Sequence, residues 1–352
     1  MFEKQKIIVI DAMGGDHAPA ITVDGTCQMA AECNAKFILL GDEVKIQNEL
    51  RKHKYNKEQI IIEHTPDEIT MEDSPKIAIK EKPNASVLLA SKMLSEAKAD
   101  AMVSAGSTGA VILSAATHIK RIPGVKRTAL GTLYPTLKAK KDAPIFSFIL
   151  DVGANVVNSP EDLVHFAYMG ISYVKEVLKI ENPSVGLLNI GAEAHKGNET
   201  MKAAYKLLSS RPDINFIGNI EGNDLSSGKA DVVVTEGMTG NIAMKTMEGM
   251  SETVKKLAKM ALKGKLSWKL GLLFLSGGIK KISKLASYQE YGGAPIFGFD
   301  KLVVKGHGRS DAYAFKNCIR VALEAVENDM IAFMRDSIAH FEEEINSQTT
   351  AK

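Results

Sequence analysis

The 352-residue chain has three cysteines, one tryptophan and only seven arginines among its 44 basic residues. Cys27, Cys33 and Cys318 fit neither a disulfide framework nor a metal-ligand spacing, and they read as reduced core residues. Basic and acidic side chains nearly cancel, at 44 against 42, so the net charge of +2 gives no general pull toward a polyanion. The scarcity of arginine argues against a surface that reads nucleic acid. No window holds 18 uninterrupted apolar residues, which excludes a helix across a bilayer but not attachment to its surface. The opening MFEKQKIIVIDAMGG enters a strand without an apolar signal region or cleavage site, and the expectation is a cytosolic protein. What the chain has in quantity is apolar residues, 45% of the total, enough for a sizeable core.

One pattern organises the rest. Asp100 to Leu113, DAMVSAGSTGAVIL, reads as a short buried strand, a glycine turn and a helix start, and Asp231 to Met244, DVVVTEGMTGNIAM, repeats the frame. Ser104 matches Thr235, Gly106 and Gly109 match Gly237 and Gly240, and Thr108 matches Thr239. Four-residue apolar runs suit parallel strands covered on both faces, so both copies predict crossover units of an α/β sheet. Glycine permits the tight turn, and the next helix presents its first N–H groups to whatever anion lies there. One copy alone would be an ordinary turn. Two in one register suggest a quasi-twofold arrangement with both turns at the carboxyl edge of the sheet, where α/β ligand sites lie.

Other strand ends are read onto that same edge. Ile7 to Ile10 leads into Asp11-Ala12-Met13-Gly14-Gly15-Asp16-His17, where two carboxylates and two glycines crowd one turn; the plainer reading has Asp16 cap the following helix. Ile145 to Leu150 ends in Asp151-Val152-Gly153-Ala154-Asn155. Val185 to Ile190 ends in a glycine turn carrying Lys196 and Gly197, and Lys196 is the first cation to consider for function. Asn241 opens the helix of the second repeat, and Ser107 precedes that of the first. Gly306-His307-Gly308-Arg309 then turns into one long helix that is expected to end near Asn346, followed by a disordered tail, 347–352. His307 reads equally well as structural.

Thr253 to Gln289 carries nine lysines and no acid, with Leu266, Trp268, Leu272, Leu273 and Phe274 between them. Two helices with an apolar bend are expected, a protruding hairpin at about 253–289 on one large domain, 1–346. It reads either as a helix pair packed on its own domain or a partner, or as a surface that docks on anionic lipid.

The motifs IDAMGGDHAP, VSAGSTGA, DVGAN, KGNE, TEGMTGN, GGAP and KGHGRSDA, in this order, resemble those of the bacterial phosphate acyltransferases of phospholipid synthesis. Members of that family move a fatty acyl group from acyl carrier protein to inorganic phosphate. The resemblance runs from Ile7 to about Ala325. It implies a three-layer α/β/α sandwich with a mostly parallel sheet, like that of phosphotransacetylases and isopropylmalate dehydrogenases, a homodimer, and no cofactor, metal or nicotinamide. It also implies that Lys196 and Asn241 engage the reaction directly, while the stretch Lys265 to Ile279 is expected to place the enzyme on the inner face of the membrane. Two positions depart from the family pattern: Ala192 stands where an acid is usual, and Val157 where an Asp is usual.

Thioester phosphorolysis needs a phosphate beside a carbonyl and donors for the oxyanion, and a thiolate leaves with little help. No side-chain nucleophile is required. Phosphate and substrate contacts are expected from Asp11, Gly14, Gly15, Asp16, Ser104, Gly106, Ser107, Thr108, Gly109, Asp151, Asn155, Gly197, Gly237, Thr239 and Gly240. A phosphotransacetylase acting on coenzyme A thioesters is the neighbouring alternative, and a non-enzymatic membrane-surface adaptor leaves the glycine turns unexplained. A decarboxylating dehydrogenase would need an Asp cluster and an arginine group that are not recognisable here.

Overall fold

A computed structural model describes residues 5–137, 146–262 and 292–350. The chain order is β1 (Ile7–Asp11), α1 (Ala20–Ala30), β2 (Lys36–Gly41), α2 (Glu43–Leu50), β3 (Ile60–His64), α3 (Pro75–Glu81), α4 (Ser86–Ser95), β4 (Ala101–Ser104) and α5 (Thr108–His118). It continues with β5 (Ala129–Pro135), β6 (Phe146–Leu150), α6 (Pro160–Glu176), β7 (Val185–Leu188), α7 (Glu199–Ser209), β8 (Phe216–Ile220), α8 (Asp224–Ser227), β9 (Val232–Val234) and α9 (Gly237–Leu262). Last come β10 (Ala294–Phe297), β11 (Leu302–Lys305), α10 (Ala312–Glu327) and α11 (Met330–Thr350).

The strands of the described residues join one sheet, ordered β3-β2-β1-β4-β11-β10-β5-β6-β9-β7-β8. Alternation along each strand divides the core in two. Ile8, Ile10, Val103 and Val304 face one side, with α1, α6, α7, α10 and α11. Val9, Met102, Val233 and Val303 face the other, with α4 and α5, and α9 rests there on Ala243, Met244 and Met247. Helices on both faces of a mostly parallel sheet make the expected three-layer sandwich.

The single-edge expectation fails. β10 is antiparallel to β11 and to β5, and β5 is antiparallel to β6. Three reversals leave β6, β9, β7 and β8 running opposite to β1, β2, β3, β4 and β11. The two glycine turns therefore open at opposite ends of the strands. They are also five strand steps apart, about 24 Å at the usual interstrand spacing. Because α5 and α9 start at opposite ends of one face, they run in opposite directions across it.

The expected single C-terminal helix is two. It breaks at Asn328 and Asp329, where Asp329 takes φ 49°, a left-handed conformation that ends α10. The second helix, α11, runs to Thr350, past the expected end at Asn346, because no glycine or proline interrupts Met330 to Thr350. The expected hairpin begins differently too, since 253–262 continue α9 without a break and the rest of that stretch, 263–289, lies outside the described residues. At 26 residues α9 is about 39 Å long, well beyond the span of the short strands beneath it.

Candidate active site

At the first end, Asp11 closes β1 with both carboxylate oxygens occupied. Ser86 Oγ donates to Oδ1 and Ser104 Oγ to Oδ2, each at 2.6 Å. Gly106 N donates in turn to Ser104 Oγ at 3.1 Å, which fixes the turn before α5. Gly14 passes so close that a Cβ there would strike Asp11 Oδ2 and the backbone of Gly106. Ser107 caps α5 by accepting from Ala110 N, which places Thr108 and Gly109 in the first turn of that helix. Gly15 belongs to the same loop, and Asp16 N donates to Gly308 O at 2.9 Å, tying that loop to the one after β11. Asp16 does not cap α1, whose N-cap is Pro19.

The second end is built around Asp151, fully buried at the close of β6. Its Oδ1 accepts from the N–H groups of Leu130, Gly153 and Ala154, and its Oδ2 from Asn155 N and Nδ2, at 2.8–3.1 Å. Burial pushes the carboxyls of Asp11 and Asp151 above the ordinary range, opposed by these donors. Both carboxylates spend their oxygens building turns, and neither offers a donor to an anion. The turn meets the second repeat directly: a Cβ on Gly240 would overlap Asp151 O, and Gly237 N donates to Asn158 Oδ1 at 3.3 Å. Thr239 and Asn241 lie exposed in the first turns of α9. Asn241 sits against Gly153, 3.3 Å from where a Cβ would be, and Gly153 has a left-handed φ of 128° that a side chain would strain.

Lys196 comes from the neighbouring strand end, after β7. Its stem lies over Gly191, its carbonyl accepts from Asn189 Nδ2 at 3.1 Å, and Gly197 follows with φ 90°. Asn219 Nδ2 holds the same loop through Glu193 O at 2.8 Å. Lys196 is half-buried and forms no ion pair among the described residues. The structure thus groups Lys196, Gly197, Asp151, Asn155, Gly237, Thr239, Gly240 and Asn241 at one end. Asp11, Gly14, Gly15, Asp16, Ser104, Gly106, Ser107, Thr108 and Gly109 form a second group at the other. Leu266, Trp268, Leu272, Leu273 and Phe274 lie outside the described residues.

Sequence reasoning missed several supports. Ser86 carries no motif signal, whereas Asn189, a polar residue directly after a buried strand, could have been found. Lys305 closes β11 level with Ser104. Beside the second site a cavity of about 520 Å³ is lined by Lys126, Arg127, Val157, Asn158, Ser159 and two acids of α6. The loop carrying Lys120, Arg121, Lys126 and Arg127 therefore borders the second turn, since Thr128 O accepts from Asn155 Nδ2. Among the described residues no three of His, Cys, Asp or Glu cluster as metal ligands, and no helix is long and apolar enough to cross a membrane.

The fold is shared with solved phosphotransacetylases: one from Streptococcus pyogenes aligns over 92% of this chain and 94% of its own, with TM-score 0.62 at 15% identity. The EutD phosphotransacetylase of Staphylococcus aureus aligns over 91% and 94%, with TM-score 0.56 at 17% identity. A family model described as fatty acid synthesis protein matches residues 6–333. The phosphate acyltransferase of Dictyoglomus turgidum is 44% identical over 321 residues, covering 91% of this chain and 94% of its own. That of Acetivibrio thermocellus is 43% identical over 339 residues, covering 96% and 98%. With its glycine turns, its sheet and its sequence in agreement along nearly the whole length, the chain belongs to the phosphate acyltransferase family of fatty acid synthesis proteins.

Proposed function

We propose that this acyltransferase takes its fatty acyl group from acyl carrier protein and delivers it to inorganic phosphate at the second glycine turn. The observation that supports the reading is the close approach of Asn241 to the Asp151 turn, with the Lys196 loop at the next strand end in the order β6-β9-β7. A phosphate oxygen attacks the thioester carbon, the carbon–sulfur bond breaks, and the carrier leaves as thiolate. Helix-start N–H groups and Lys196 neutralise the phosphate, and Asn241 donates to the oxyanion as it forms. Asp11 and Asp151 act by shaping turns.

The carrier protein is acidic, and Lys126 and Arg127 flank the cavity beside this turn. Arg121 is less available, because its guanidinium donates to Lys126 O. Complementary charge acts mainly on the association rate. Lys126→Glu with Arg127→Glu should lower the second-order rate constant for acyl carrier protein by about tenfold at low salt, and leave the saturated rate unchanged. A rate constant indifferent to both salt and charge reversal would remove the carrier from this face.

The same reading includes a homodimer at the inner membrane face. Met250, Val254, Leu257 and Met260 recur at helical spacing on the outer half of α9 and are 54–61% exposed, an apolar stripe suited to the same stripe on a second copy. Beyond it, the lysine-rich stretch supplies about 1 kcal/mol of attraction per lysine close to anionic headgroups. Leu272→Glu with Phe274→Glu should release the protein from anionic vesicles and spare its activity in solution. Unaltered sedimentation with vesicles would assign the stretch to protein packing alone.

A further inference from the structure

The end of the sheet that carries Lys196 and Asn241 is polar at its centre and apolar around it. Among the described residues sixteen large apolar side chains are exposed, and five of them, Val156, Val157, Ile190, Met238 and Ile242, stand here at 54–83%. None of the sixteen falls in the Asp11 to Asp16 or Ser104 to Gly109 segments of the opposite end. Short links bring the five together. Met238 and Ile242 lie three residues before and one after Asn241, so they adjoin it on one face of α9. Gly237, just before Met238, packs on the backbone of Asn155, just before Val156 and Val157. Ile190 opens the Lys196 loop, and Asn189 ties both, accepting from Ile190 N at 2.8 Å and donating to Lys196 O at 3.1 Å. Val157 also lines the cavity flanked by Lys126 and Arg127, which makes the apolar rim continuous with the face offered to the carrier.

Single exposed apolar side chains are ordinary, but a cluster around a polar site marks a surface that something covers. Of the groups that an acyltransferase of fatty acid synthesis handles, phosphate and thioester are polar, and the acyl chain is the one that gains by leaving water. Its first carbons are fixed to the carbonyl that Asn241 faces. We propose that the fatty acyl chain lies along Met238, Ile242 and Val156, with Ile190 at its edge, and that these side chains set the preference for chain length. The proposal rests on the acyl-transfer reading for the position of that carbonyl. A second copy of the chain, or a lipid surface, would cover the same side chains without reading chain length, and the test separates these from the acyl group.

The test is equilibrium binding to the full chain, in buffer without lipid, of butyryl, octanoyl and palmitoyl thioesters, each on coenzyme A and on acyl carrier protein. Wild-type affinity should rise with chain length on either carrier. Met238→Ser with Ile242→Ser should cut the ratio of palmitoyl to butyryl affinity by about tenfold or more, while Met238→Leu with Ile242→Leu keeps most of it. Ile190→Ser, on a different element and at an exposed position, should lower the same ratio and carries the test should the α9 variants fold poorly. A ratio unchanged in the serine variants overturns the proposal, and so does an equal loss at every chain length. A serine variant that sediments as a monomer where the wild type is a dimer gives the face to a second copy and overturns it as well. Release from anionic vesicles with the ratio intact gives the face to the membrane. Because binding and not turnover is read, a ratio that depends on Met238 and Ile242 in a protein that makes no acyl phosphate would sink the reaction reading and leave this one standing.

Discussion

Lys196→Ala and Asn241→Ala should each reduce acyl phosphate formation by about two orders of magnitude or more, with melting temperature nearly unchanged. The combination separates chemistry from folding. Asn241 is exposed on the first turns of α9, and Lys196 makes no ion pair among the described residues, so truncating either removes little packing. The backbone of the Lys196 loop is held by Asn189 and Asn219 through carbonyl groups, and it survives loss of the ammonium. A variant that keeps near-full turnover would remove that residue from the reaction.

Asp151→Asn should destabilise the protein by about 2–4 kcal/mol, read from urea unfolding, and abolish turnover with it. Five donors converge on this carboxylate, four of them backbone N–H groups with fixed directions and the fifth the Asn155 amide, which Thr128 O also holds. An asparagine oxygen can satisfy the three on one side. Its amide then faces Asn155 N and Nδ2, donor against donor in a buried site. Asp11→Asn should cost visibly less, because its side-chain partners are the hydroxyls of Ser86 and Ser104, which can rotate to accept instead, and a single backbone N–H, that of Met13, adds to them. Equal losses for the two substitutions would show that buried charge, rather than donor geometry, sets the cost.

The strands and both glycine turns were legible because short apolar runs followed by glycine have few alternatives. Asp100 to Leu113 and Asp231 to Met244 fold as read, each a strand, a turn and a helix start. Strand direction was not legible. It depends on which strands pair and how: the two reversals at β10 cancel, so β5 runs with β11, and the net reversal comes where β6 pairs antiparallel with β5, the strand before it in the chain. Nothing local to Asp11 or Lys196 reports that pairing, so two groups of residues at opposite ends were read as one. The place of the basic loop follows from the same topology. Lys126 and Arg127 follow α5 in sequence, but that helix has crossed the sheet by then and delivers them to the second turn.

The most direct measurement compares one long-chain acyl group presented on acyl carrier protein and on coenzyme A, in the presence and absence of inorganic phosphate, with acyl phosphate as the product detected. The account predicts phosphate-dependent acyl phosphate from both, or from the carrier alone, with kcat/KM clearly higher for the carrier. A clear preference for coenzyme A would contradict it and make the enzyme a phosphotransacetylase in activity as well as in fold.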